Sequence, residues 1–78
     1  HGDTAMTEYD LFDCTTGHKA RVLRFKSYDA AKAHAVGMFG DFLAEVSDVE
    51  ALYHAVDIFT VRGNILAIEA TERTVYAA

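Results

Sequence analysis

The segment DIFTVR-GN-ILAIEAT, residues 57–71, decides the fold class that the sequence predicts. A Gly-Asn pair between two strand-like runs is typical of a two-residue β-hairpin turn. A register centred on this pair places four apolar side chains on one face of the hairpin and Thr60, Ala67, Ile58 and Glu69 on the other. The four apolar residues are Phe59, Val61, Leu66 and Ile68. Turn and pattern therefore agree, and together they predict an antiparallel hairpin with one core-facing side.

A second hairpin is predicted near the beginning of the chain. Residues 8–14 (EYDLFDC) and 19–26 (KARVLRFK) mix aromatic, aliphatic and polar residues as strands do. Residues 15–18 separate them and include Gly17, which can adopt the positive φ that tight turns require.

The segment between the hairpins is predicted to be helical. Ser27 or Asp29 is the expected N-cap. From residue 31 to residue 46 the apolar residues recur at helical spacing, which predicts a long helix. Its core-facing side would consist of Ala31, Ala35, Met38, Phe39, Phe42 and Val46. Ser47 and Glu50 match a capping box, which predicts a second, short helix from Asp48 to about Ala55.

The predicted fold is a single α+β domain over residues 6–78, with the element order ββααββ. A four-stranded antiparallel sheet would carry the long and the short helix on one face. The predicted core consists of Leu23, Phe25, Phe59, Val61, Leu66 and Ile68 packed against Met38, Phe39 and Phe42. We interpret residues 1–5 (HGDTA) as the remnant of an affinity tag and exclude them from the fold prediction.

Composition indicates a small soluble protein whose stability would increase on association with a partner. The chain has 78 residues, of which 51% are hydrophobic, and chains of this size bury only a modest core. No apolar run reaches the length of a membrane span, and the single cysteine with no secretion signal favours a cytoplasmic protein. The formal net charge is −5, and residues 27–56 carry five acidic residues against Lys32 alone. Such an acidic layer would repel nucleic-acid phosphates, so nucleic acid is a disfavoured partner.

A stripe of small residues is the main candidate for an interface. Ala33, Gly37, Gly40 and Ala44 are spaced to stack along the side of the long helix that faces away from the core. Glycine inside a helix costs about 1 kcal/mol relative to alanine, so two outward glycines suggest that another molecule approaches the helix closely. The stripe predicts a homodimer or a protein partner. Two alternatives remain open: a glycine ends the helix as a C-cap, or the spacing has no role.

The sequence contains no recognisable catalytic, metal or cofactor motif. Cys14 and His18 lack the paired ligands typical of zinc sites, and no phosphate-binding glycine loop is present. Cys14 could act as a nucleophile only if the fold brought a histidine such as His34 or His54 beside it. We therefore predict no catalytic residue, no metal and no cofactor.

Three functions remain open. The first is a non-catalytic interaction module that self-associates or binds a protein through its helix layer or a strand edge. The second is a small-ligand-binding domain or small enzyme, with a pocket between sheet and helices lined by His34, Tyr28, Tyr53 and Cys14. The third is single-stranded nucleic-acid binding through the first hairpin, where four aromatic residues lie near three basic ones. These residues are Tyr9, Phe12, Phe25 and Tyr28, with Arg21, Arg24 and Lys26.

Overall fold

The computed structural model describes residues 4–48 and 54–75, which form one antiparallel sheet with a helix on one face. The elements in chain order are β1 (Thr4–Asp13), β2 (Ala20–Phe25), α1 (Tyr28–Phe39), β3 (Phe42–Asp48), β4 (Ala55–Thr60) and β5 (Ile65–Val75). The sheet order is β2-β1-β5-β4-β3, and every neighbouring pair is antiparallel. The predicted ββααββ fold is therefore wrong: the described residues contain five strands and one helix, not four strands and two helices.

The helix begins where the sequence predicts and ends seven residues earlier than predicted. Ser27 is the N-cap, and its side chain accepts a hydrogen bond from the Ala30 amide at 3.1 Å. At the other end, Gly40 has φ +91°, a left-handed conformation that favours glycine, and its amide bonds the Val36 carbonyl. The predicted helix over residues 31–46 is therefore wrong beyond Phe39.

The segment that follows Gly40 forms an edge strand instead of continuing the helix. Strand β3 begins at Phe42 and pairs with β4, with an irregularity between Phe42 and Ala44. Of the second helix predicted from residue 48 to about residue 55, residues 49–53 lie outside the described residues. Its two ends are strand residues, because Asp48 belongs to β3 and pairs with Ala55 of β4.

Both predicted hairpins are present, but the second has another register. In the first hairpin, β1 and β2 flank a turn in which Gly17 has φ +90°. In the second, Leu66 lies opposite Ile58, three residues before the partner Val61 that the turn predicts. The amide of Thr60 bonds the Asn64 carbonyl, so residues 61–64 form the loop and not Gly63 and Asn64 alone. Because the register differs from the predicted one by an odd number of residues, the two faces of β4 are exchanged. Ile58 is therefore buried and Phe59 is exposed.

The core lies between α1 and the sheet face that it covers. Ala31 and Ala35, one turn apart, are fully buried and let the helix backbone approach the sheet. The buried apolar residues beneath them are Leu11, Val56, Ile58, Leu66 and Ile68.

The predicted core is confirmed in part. Leu66 and Ile68 are buried, and Phe25, Phe39 and Phe42 pack partly buried against the core. The remaining predicted core members are exposed, namely Leu23, Met38, Phe59 and Val61. Val46, predicted on the core-facing side of the long helix, is exposed as well. The longest strands, β1 and β5, pair from Thr4↔Val75 to Asp13↔Leu66, so residues 4 and 5 lie in β1.

Candidate protein interaction surface

The sheet face opposite α1, called the open face here, is not covered by any other element of the described chain. Three large apolar side chains are exposed on it: Val46 at 51%, Phe59 at 40% and Ile65 at 39%. Phe59 lies opposite Ala44 on β3 and opposite Ile65 on β5, so these residues are contiguous across three strands. Contiguous exposed apolar surface of this kind is typical of a contact surface, whereas isolated apolar residues are ordinary on any protein.

Two rows of directly paired residues cross all five strands on the open face, one through Asp10 and Glu69 and one through Phe12 and Ala67, and the second is called the central row here. The central row runs from β2 to β3 through Arg21, Phe12, Ala67, Asp57 and Val46. Directly opposed residues share a face of the sheet, so this row brings together a cation, an aromatic ring, a methyl group, a carboxylate and an aliphatic side chain. The row is basic at its β2 end and acidic towards β3.

One carboxylate beside the central row is already neutralised. Asp10 is 4% exposed, and Arg24 contacts it through two nitrogens, with Nε at 2.7 Å and Nη2 at 3.1 Å. This hydrogen bonding from Arg24 lowers the pKa of Asp10, against the opposing effect of burial. Arg21 lies farther away, with Nη1 at 3.9 Å from Asp10, and its side chain is 55% exposed. Arg24 therefore satisfies Asp10, and Arg21 is left accessible.

Two further ion pairs occupy the open face. Lys19 pairs with Glu69, and Arg73 pairs with Glu8. Asp57 differs from these acids, because it is exposed and forms no ion pair within residues 4–48 and 54–75. In the central row, Asp57 is thus an exposed acid without an ion pair among the described residues, and Arg21 is an exposed cation whose contact with Asp10 is a long one of 3.9 Å.

The stripe of small residues predicted as an interface is not formed on one helix. Ala33 and Gly37 lie on the exposed side of α1, Gly40 caps its end, and Ala44 belongs to β3. The alternative in which a glycine ends the helix describes Gly40 correctly. The prediction that these four residues stack along one helix is wrong, because the left-handed backbone at Gly40 ends the helix there. A contact of these residues with a partner stays a prediction.

Two of the four predicted ligand-binding residues lie on the helix side of the molecule. The Tyr28 hydroxyl donates to Glu45 Oε2 at 3.1 Å, and Lys32 Nζ lies 2.7 Å from Glu45 Oε1. Burial and the neighbouring Glu45 raise the pKa of Tyr28 to about 12. His34 is exposed, and its ring centroid lies 5.2 Å from that of Phe25. Tyr28 thus ties α1 to β3, a contact that needs no ligand.

The other two candidates do not join them in one site. Tyr53 lies outside the described residues. Cys14 is half-buried at the end of β1, where burial raises the pKa of its thiol, which opposes formation of the nucleophilic thiolate. The described part of the chain encloses no pocket and holds no group of three or more potential metal ligands. The small-ligand alternative therefore stays a prediction without a located site.

The aromatic residues proposed for nucleic-acid stacking do not share one surface. Tyr9, Phe25 and Tyr28 pack against the core on the helix side. Phe12 faces the open side, but Lys19 Nζ lies 4.4 Å from the centre of its ring. Of the three basic residues proposed beside them, Arg24 is engaged by Asp10. Nucleic-acid binding through the first hairpin stays a prediction.

The structure contributes one finding on membranes. In the described part of the chain, the helix is not long and apolar enough to cross a bilayer. The cytoplasmic location stays a prediction.

Sequence reasoning missed both the open-face patch and the central row. Their residues alternate with core residues along the strands, so finding them needed the correct register of β4 and the recognition of β3 as a strand. Comparison of the chain with family models, with curated proteins and with solved structures found no match.

Proposed function

We propose that this chain is a self-associating protein-interaction module whose interface is the open face. The observation that supports this is the contiguous exposure of Val46, Phe59 and Ile65 on the sheet face that α1 does not cover. Burying apolar surface of this kind is the main favourable contribution to association. The proposal keeps the interaction module predicted from sequence and moves its surface from the helix to the sheet.

The open face suits a second copy of the same chain because its charges are arranged to complement each other. Arg21 stands at the β2 side of the central row, and Asp57 stands on β4 towards the other edge. A two-fold axis repeats the same patch on both copies, so a surface with opposite charges at its two sides can pair with itself.

Light scattering with size-exclusion chromatography tests this proposal on a matched pair of variants. Phe59 and Val36 are equally exposed, at 40% and 38%, but lie on the open face and on α1 respectively. We expect the wild type to have the mass of a dimer. Phe59→Gln should weaken the dimer about tenfold or more, as loss of a central apolar contact does, and Val36→Gln should leave it unchanged.

Three results would contradict the proposal. A wild type that stays monomeric at high concentration would exclude self-association, and the module would then need a partner of another sequence. A dimer weakened by Val36→Gln and not by Phe59→Gln would place the interface on the helix. A dimer that neither variant weakens would place it on some other surface. Circular dichroism spectra of both variants show that any change in mass does not come from unfolding.

A further inference from the structure

Strand β3 forms one edge of the sheet, and its charges indicate what can pair with it. We infer that the outer edge of β3 accepts an extended, positively charged segment of another protein as a sixth strand. This contact is distinct from the self-association proposed above and does not depend on it. The outer backbone groups of an edge strand point sideways in the plane of the sheet, so they stay accessible when the open face is covered.

The backbone of β3 is paired on one side only. Within residues 4–48 and 54–75, β4 is its one neighbour in the sheet. From Ala44 to Asp48 the pairing with β4 runs without irregularity, and six of the seven residues of β3 are exposed. This stretch has the length of an ordinary strand, and unpaired N–H and C=O groups along such an edge are a template for another strand.

The two edges of the sheet carry opposite charge. Residues 19–26, which contain β2, have cations and no acid, whereas residues 41–48, which contain β3, have acids and no cation. Cations along an edge are a common means of preventing further pairing, and β2 has them. An edge with acids alone repels another acidic strand and attracts a basic one, so charge selects a positively charged occupant. The cations are Lys19, Arg21, Arg24 and Lys26, and the acids are Asp41, Glu45 and Asp48.

A second copy of this chain fits the edge of β3 less well than a basic segment does. Two β3 strands side by side would bring the acids of both copies together. β2 of a second copy has the right sign, but its cations are engaged within their own copy, since Lys19 pairs with Glu69 and Arg24 holds Asp10. The net charge of −5 also favours a basic partner of another sequence.

The side chains of β3 define the segment further. Val46 is 51% exposed in the middle of the regular stretch, and Leu43 is 72% exposed at the irregularity. Asp41 and Asp48 lie at the two ends. Directly opposed residues of neighbouring strands contact each other, so an apolar residue opposite Val46, with basic residues towards both ends of the segment, matches this edge.

Asp41 is the acid of this edge that a variant addresses most directly. Glu45 is held on the helix side by Tyr28 and Lys32, so its charge is already compensated. Asp41 is exposed and forms no ion pair within the part of the chain that the structure describes. It also lies outside strand β3 itself, so its substitution leaves the edge backbone in place.

NMR titration with synthetic peptides tests the inference. The probe is an acetylated and amidated peptide that repeats lysine, threonine, valine and threonine and has a lysine at each end. One control has glutamate in place of lysine, and a second is N-methylated at every backbone amide, so that it keeps the charge but has no amide donors for a strand ladder. We expect the probe to shift the amide signals of residues 42–48 and to slow their hydrogen exchange. Both controls should bind about tenfold or more weakly than the probe.

A matched pair of protein variants tests the role of charge. Asp41→Lys should weaken binding of the probe about threefold or more at low salt, and the loss should shrink at high salt. Glu72→Lys changes the net charge equally at an exposed residue of β5 beyond its pairs with β4, and it should change the affinity less than about 1.5-fold. Asp41→Asn should give a smaller loss than Asp41→Lys and serves if the reversed variant does not fold.

The outcomes separate this inference from the proposed function. No binding of the probe at millimolar concentration, equal binding of the N-methylated peptide, or signal shifts confined to other elements would each overturn the sixth strand, whether or not the protein is dimeric. Assembly into ever larger species that the probe disperses would assign the edge to β2 of a second copy and overturn the partner proposed here. A monomeric wild type that binds the probe along β3 would overturn the proposed self-association and support this inference.

Discussion

The two faces of the sheet come from alternate residues of the same strands and have opposite chemistry. On the face beneath α1, Leu11, Ile58, Leu66 and Ile68 are almost completely buried. On the open face, the same strands present Asp10, Phe12, Asp57, Phe59 and Ala67, in which charged and apolar side chains alternate. A solvent-facing side of an antiparallel sheet is commonly polar throughout. The open face differs because exposed apolar residues lie among its charged residues, and this difference is why we interpret it as a contact surface.

Adjacent residues of β4 show how sharply the two faces differ. Ile58 is fully buried and Phe59, the next residue, is 40% exposed. Because side chains in a strand alternate, a slip of one residue in the register would exchange the two faces. The register of β4 against β5 therefore decides which apolar residues stabilise the monomer and which are available to a partner.

Substitution of one isoleucine on each face is the strongest test of this comparison. Ile58→Ala removes a fully buried side chain under α1 and should lower the free energy of unfolding by about 2–5 kcal/mol. Ile65→Ala makes the same chemical change at an open-face residue that is half exposed, and it should cost less than about 1 kcal/mol in the monomer. Urea denaturation at a protein concentration below dimerisation measures both values.

The two isoleucine variants would contradict the assigned register if they behaved alike. Equal losses would place Ile58 and Ile65 on the same face of the hairpin, as the register predicted from sequence does. A larger loss for Ile65→Ala would mean that Ile65, and not Ile58, lies beneath α1.

Local signals in the sequence predict some of these elements and mislead at others for definite physical reasons. The sequence predicts Ser27 as the helix cap and Gly17 as the turn residue because both roles depend only on neighbouring backbone atoms. The error at Gly40 arises because apolar residues after it continue a helical spacing by coincidence, although the chain leaves the helix there. The error in the second hairpin arises at Thr60, a polar residue in a buried position. Its hydroxyl accepts a hydrogen bond from the Asn64 amide at 2.9 Å, which satisfies it within the loop.

The candidate surface was less predictable than the fold because it depends on distant strands. Arg21, Phe12, Ala67 and Asp57 are spread over four strands, and only the sheet order aligns them. None of these residues forms a motif with its sequence neighbours. A surface built from single residues of several strands becomes visible only after the registers are known.

A second prediction concerns the charged part of the open face. Asp10→Asn removes the buried carboxylate that Arg24 holds in two hydrogen bonds, and it should lower the free energy of unfolding by about 1–3 kcal/mol near neutral pH. The matched variant Glu69→Gln breaks the more exposed ion pair with Lys19 and should cost less than about 1 kcal/mol.

The pH dependence of the Asp10 effect follows from the direction of its shift. Hydrogen bonding from Arg24 lowers the pKa of Asp10 in the folded protein, so the unfolded chain binds the proton more readily. The stabilisation is therefore complete above the unfolded pKa of about 3.9 and is lost as the pH falls through the folded pKa. The difference between wild type and Asp10→Asn should be constant down to about pH 5 and shrink below about pH 4. A difference that stays constant into this acidic range would contradict the role of the carboxylate.

The smallest expected effect belongs to the covered side, where Tyr28 ties α1 to β3. Tyr28→Phe removes only the hydroxyl that donates to Glu45 and should cost about 0.5–1.5 kcal/mol near pH 7. The pKa of Tyr28 is raised to about 12 from its usual value near 10, so here the folded protein holds the proton more tightly. This stabilisation is complete below about pH 10 and is lost as the pH rises from about 10 to about 12, which is the reverse of the Asp10 effect. Urea denaturation at about pH 8 and about pH 11 should therefore show a smaller advantage of wild type over Tyr28→Phe at the higher pH. An advantage that is equal at both values would mean that the hydroxyl titrates alike in the folded and unfolded chain, and the hydrogen bond to Glu45 would then not hold the helix to the edge strand.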